Sequence, residues 1–133
     1  MNKKILITAA FLGFTAIVLG AFGAHGLKEL VSPEQIATFE TGIRFQMYHA
    51  LFLLFLGISK DLFTSKTNNI IFSLVTLGVV LFSGSIYGLA TNELTAFDFK
   101  KIALITPLGG TLLILAWGWL LVSLIKQKKP HKK

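Results

Sequence analysis

The sequence predicts an all-α integral membrane protein: a single membrane domain, residues 1–133, built as a four-transmembrane-helix bundle. Three observations predict it. Only 14% of the residues are charged and 53% are hydrophobic, whereas an ordinary soluble domain carries about 25% charged residues. The apolar residues are gathered into four long runs. The lysines sit at the ends of those runs and not along one face, so the formal charge of +7 reads as anchoring at an anionic bilayer surface and not as nucleic-acid binding. The chain has no cysteine, which excludes a disulfide framework, a thiolate nucleophile and a cysteine-based metal site.

A spanning helix needs about 20 mostly apolar residues. The first run, 5–24, has 20 without a charge. It exceeds the roughly 7–15 apolar residues of a signal peptide, so it is predicted to remain a span although Ala21, Phe22 and Gly23 resemble a cleavage site. The second span, 43–59, has its start signal further upstream. Ser32-Pro33-Glu34-Gln35 matches a capping box with proline at the first helical position. A helix from there to residue 59 would run about 40 Å, longer than a hydrocarbon core of about 30 Å. Residues 33–42 are therefore expected to form an amphipathic extension on the outer face, hinged at Gly42.

The third run, 70–90, is uncharged throughout. The fourth, 102–125, contains Pro107. Either Thr106 caps a helix with Pro107 at its first position, or the helix begins near Asp98 and Pro107 kinks it, freeing a carbonyl around Ala103. Trp117 and Trp119 lie toward the inner end, where amphipathic rings favour the interface. The tail 126–133, KQKKPHKK, reads as a solvated, lipid-anchoring charge run.

Orientation follows from Lys and Arg in the short loops. With four spans, both termini and the loop around residues 60–69 share a side. That side holds nine of them: Lys3, Lys4, Lys60, Lys66, Lys126, Lys128, Lys129, Lys132 and Lys133. The other holds four, Lys28, Arg44, Lys100 and Lys101. Both termini are expected in the cytoplasm.

On that topology the polar and small residues collect toward the outer half. His25 ends the first span, Gln46 and His49 open the second, Ser83, Ser85 and Tyr87 lie on the third, and Thr106 lies on the fourth. Two explanations compete. One is helix packing through small residues and a few hydrogen bonds: Gly13, Gly20 and Gly23 along the first span, a Gly84-x-x-x-Gly88 seam on the third, Gly109 and Gly110 on the fourth. The other is an outer-facing polar cavity, since ionisable residues at membrane depth usually have partners or tasks. There His25 and His49 would meet, with Tyr87 or Ser83 as neighbours. On a helical wheel His49 shares a face with Gln46, Gly42 and Thr38, whereas Arg44 lies about 140° away, beside Glu40 and Tyr48. Glu40 and Arg44 read as an intrahelical ion pair.

His25 precedes Gly26, which suits a left-handed C-cap, and the negative end of the helix dipole favours a charged imidazole there. No metal and no cofactor are predicted, because two histidines with Glu40 match no zinc spacing. No catalytic residue is assigned either. Ser83 and Ser85 lack an orienting carboxylate at their depth.

AFGAHGLK (21–28), RFQMYHALFLL (44–54), FSGSIYGLA (82–90) and TPLGGTLLILAWGW (106–119) occur in that order. Together they resemble the small four-helix membrane proteins catalogued as domain of unknown function 423, which includes relatives of a mitochondrial small transmembrane protein. The resemblance covers nearly the whole chain and implies an integral, multi-pass protein of the cell membrane. It implies no activity, cofactor or substrate. The function expected is that of a non-enzymatic accessory protein, associated with a membrane complex or with lipid. A small-molecule or lipid carrier with an outer-facing cavity is the alternative, and an intramembrane enzyme the third. The partners expected are the lipid bilayer and either a membrane-protein partner or a second copy, with no nucleic acid.

Overall fold

The computed structural model describes residues 2–127. Four helices, α1 (Lys3–Ala24), α2 (Pro33–Ile58), α3 (Ser65–Ala90) and α4 (Ile105–Ile125), are joined by short turns with 3₁₀ geometry. All four are long and apolar enough to cross a membrane. The tail lysines at 128, 129, 132 and 133 lie outside the described residues.

Local chemistry sets the helix starts. Asn2 caps α1 by accepting from the Ile5 amide at 3.3 Å. Ser32 and Gln35 form the reciprocal capping box of α2, with Pro33 in its first turn. Thr64 accepts from the Thr67 amide at 3.1 Å and starts α3, so polar residues 65–69 supply its first turns ahead of the apolar run. Two tertiary bonds gather one end of the bundle. The Asn2 amide donates to the Gly57 carbonyl at 2.8 Å, and Gln127 Nε2 donates to the Leu62 carbonyl at 2.8 Å. The start of α1, the α2–α3 turn and the end of α4 therefore share a side.

Three local expectations are corrected. α2 runs unbroken from Pro33, with no hinge at Gly42. A Cβ there would come within 2.7 Å of the Tyr87 ring and 3.0 Å of Ile86, so the glycine permits close approach to α3. Gly26 is right-handed, at φ −70°, and starts the 3₁₀ turn Leu27–Glu29; its neighbour on the other side is the Phe22 ring. In α4, Leu104 takes the capping position and Pro107 is the third helical residue. There its missing N–H is one that would have no intrahelical partner anyway, so the proline interrupts no helical hydrogen bond. The Ala103 carbonyl is not freed, since it accepts from the Thr106 amide at 3.3 Å.

α1 packs on α2, α2 on α3 and α3 on α4. The central pair buries most. α1 and α4 bury only narrow stripes: Ile5, Ala9, Leu12, Ala16 and Gly23 on one, Gly109, Leu113, Ala116 and Leu120 on the other. Ile5, Ala9 and Leu12 of the first stripe and Leu113, Ala116 and Leu120 of the second meet Leu53, Leu56, Ile71 and Val75 in one core. Contact is closest between α3 and α4, where a Cβ on Gly109 would lie 2.9 Å from Phe82 Cα and one on Gly78 would lie 3.2 Å from the Gly109 carbonyl oxygen. Lipid supplies no hydrophobic push between helices, so such close approach and hydrogen bonds hold them together. The outward faces are apolar, with Phe11, Phe14, Ile17, Ile114 and Ile125 exposed.

Candidate functional site: a polar network between the helices

The buried face of α2 carries the network. Gln46 and His49 are three residues apart and therefore side by side on the helix, and both are buried, as is Gly42. Toward α1, Gln46 Nε2 donates to the Leu12 carbonyl at 2.8 Å and to Thr15 Oγ1 at 2.7 Å. Toward α3, Gln46 Oε1 accepts from the Tyr87 hydroxyl at 2.6 Å. One amide thus joins three helices. Ser83 donates to the Gly42 carbonyl at 2.7 Å, a second tie between α3 and α2. Ser85 and Thr106 share a hydrogen bond between α3 and α4.

His49 completes the set. Its Nδ1 lies 2.7 Å from the Phe45 carbonyl, and its Nε2 lies 3.1 Å from Nε1 of Trp117. A carbonyl can only accept and an indole N–H can only donate. The imidazole is therefore neutral, with its proton on Nδ1. Phe52 stacks beside it and meets Trp117 edge-on at 4.4 Å between ring centroids.

Not every residue named above joins the network. His25 and His49 do not meet. His25 is exposed at the end of α1, while His49 lies next to Ala50, which faces Gly13; from Gly13 to His25 is about 18 Å of helix at the standard rise. Thr38 is exposed and bonds back to the Glu34 carbonyl. Glu40 and Arg44 form no ion pair; Arg44 donates instead to Thr41 Oγ1 at 3.2 Å. Among the glycines, Gly13 faces Ala50, Gly20 faces Ile43, Gly23 lies under Phe39, Gly88 lies under Phe99, and Gly110 faces the Phe82 ring. Gly84 is corrected: it points outward with nothing within 4 Å, so residues 84 and 88 do not form one seam.

Thr15, Gly57 and Gly78 are structural participants that the sequence does not announce, and Trp117, expected at the interface, instead donates to His49 inside the bundle. A signal for Trp117 exists. It lies eight residues before the end of α4, about 12 Å deep along the axis, too far for a purely interfacial ring. Among the described residues no three metal-ligating side chains gather. Chemically, the arrangement holds four helices in register: each of these donors already has an acceptor inside the bundle.

The match to known proteins covers most of the chain. Residues 19–110 match the family model described as "Protein of unknown function (DUF423)". A UPF0382 membrane protein of Haemophilus influenzae is 35% identical over 129 residues, covering 96% of this chain and 98% of that one. A relative from Staphylococcus saprophyticus, also named a UPF0382 membrane protein, is 38% identical, with 93% and 98% covered. The Escherichia coli K12 inner membrane protein YgdD, of the same group, is 35% identical, with 96% and 94% covered. No solved structure matches the chain. With four membrane-spanning helices and full-length kinship to these proteins, the chain is a multi-pass membrane protein belonging to the DUF423 family.

Proposed function

We propose that the protein is a non-enzymatic membrane protein that acts by associating, within the bilayer, with a membrane complex or with lipid, and that both its termini face the cytoplasm. One observation carries the first part: Gln46, His49, Ser83, Ser85, Tyr87 and Thr106 all spend their hydrogen bonds inside the bundle. What the molecule presents to its surroundings is its surface, above all the exposed apolar faces of α1 and α4. The orientation rests on nine Lys on the terminal side against four Lys and Arg on the other.

The test is extraction of the tagged protein from its native membrane in a mild detergent, followed by mass spectrometry of proteins and lipids. Recovery of a stoichiometric membrane protein or a retained lipid supports association. Recovery of the bare chain alone, across several mild detergents, overturns it.

A further inference from the structure

We infer that the groove between α1 and α2, together with Arg44 at its outer end, binds a phospholipid, with one acyl chain along the groove and the phosphate on the guanidinium. The inference rests on the proposed association within the bilayer and names its partner.

The groove has a volume of about 460 Å³ and an almost wholly apolar lining, in the size range of small-ligand sites. Its floor is Ala9, Gly13 and Ala50, and its walls include Phe14, Ile17 and Leu51. Small floor residues keep it open, since a Cβ on Gly13 would meet only the Ala50 Cβ, at 3.9 Å. Arg44 lies three residues before Met47 and seven before Leu51, both lining residues, a spacing that keeps it on the same edge of α2. Gly20 faces Ile43, so Arg44 stands just outward of Val18, the outermost lining residue on α1.

Depth makes this arginine unusual. Counting back from Ile58, the end of α2, a core of about 30 Å ends near Thr38. Arg44 lies about 9 Å inside that boundary. It is exposed, it makes one hydrogen bond, to Thr41, and it has no ion pair among the described residues. The exposed residues of α1 at this level, Ile17, Val18 and Phe22, are apolar. A cation at such depth is costly unless it pairs or reaches the headgroups. An arginine stem lying along apolar surface carries its head outward, and a phosphate suits its forked donors.

An occupant with an apolar tail and a phosphate head satisfies groove and charge together. A protein helix would have to carry a carboxylate to the same depth, itself costly in lipid. A second copy packed on this groove about a two-fold axis would bring Arg44 toward its own counterpart, like charge to like. Glu40 sits one turn further out, toward the headgroup region.

The protein, purified in mild detergent, is incubated with phosphatidylglycerol and phosphatidylethanolamine and examined by native mass spectrometry. The wild type is expected to hold one phospholipid. Arg44→Gln is expected to lower retention roughly tenfold or more, the scale of a lost charge-assisted hydrogen bond. Gly13→Leu, which fills the floor from a position with room for a side chain, is expected to lower it as well. Gly84→Leu, equally bulky but facing open space on α3, is expected to retain lipid like the wild type. Equal retention by wild type and both site variants overturns the inference. A photo-cross-linker replacing Phe14 in native membranes distinguishes loss of the lipid site from loss of association within the bilayer. A phospholipid adduct supports the site, and a protein adduct overturns the lipid while leaving association in the bilayer standing. The absence of both adducts, together with recovery of the bare chain on extraction, overturns both.

Discussion

His49 shows how much one side chain can constrain. Its two ring nitrogens face a carbonyl and an indole N–H, so nitrogen NMR of labelled protein should find a neutral ring protonated at Nδ1. Trp117→Phe removes the indole donor and keeps most of the apolar ring. The expected loss is about 0.6–1.7 kcal/mol, the range of hydrogen bonds between membrane helices, measurable by unfolding in mixed micelles. Gln46 tests the network more severely. Gln46→Leu leaves the Tyr87 hydroxyl without the acceptor it uses, with an expected cost of about 1–3 kcal/mol. Adding Tyr87→Phe removes that orphan, so the double variant should be less destabilised than the sum of the two singles. A full additive loss would show that the two groups are uncoupled. On a helical wheel Gln46, Gly42 and His49 share one face, and all three are buried. Thr38 falls on the same face of the wheel, but it is exposed and bonds back to the Glu34 carbonyl. No spacing rule leads from His49 to Trp117, 68 positions away.

At the scale of helices, glycine marks contact only where a neighbour is close. Gly109→Ala would drive a methyl group against the Phe82 backbone and should cost about 1–3 kcal/mol, as overpacking does. Gly84→Ala meets nothing and should be neutral or stabilise by up to about 1 kcal/mol, through helix propensity. The two variants, unfolded side by side, check whether α3 and α4 really meet through Gly109; equal effects would refute that. Pro107→Ala should change stability little, because the proline occupies the first turn of α4. The start of α2 is legible in the capping box of Ser32 and Gln35, whereas α3 begins at the Thr64 cap, ahead of the apolar run at 70–90 that marks the span in the sequence. Gly84 and Gly88 were not distinguishable by sequence: they share a helical edge, yet Phe99 covers one and nothing covers the other.

For the whole molecule, the cysteine-free chain makes topology directly measurable. With both termini in the cytoplasm, Thr95→Cys in the α3–α4 turn should react with a membrane-impermeant maleimide in intact cells, and Lys66→Cys should not. The reverse pattern would invert the molecule. Hydropathy, run length, capping chemistry and the placement of lysine are local properties, and by themselves they determined the membrane class, the four spans and the pairing of the termini on one side. Only the tertiary structure decided which faces meet, that Trp117 serves His49, that Gly78 and Gly109 bring α3 against α4, and that Arg44, without an ion pair among the described residues, stands beside an apolar groove. The physical reason is the solvent. In water a helix displays its buried face as a hydrophobic stripe, but in lipid the outward face is apolar too. α4 is apolar all round, and its contacts depend on shape and on a few hydrogen bonds between residues far apart in the chain.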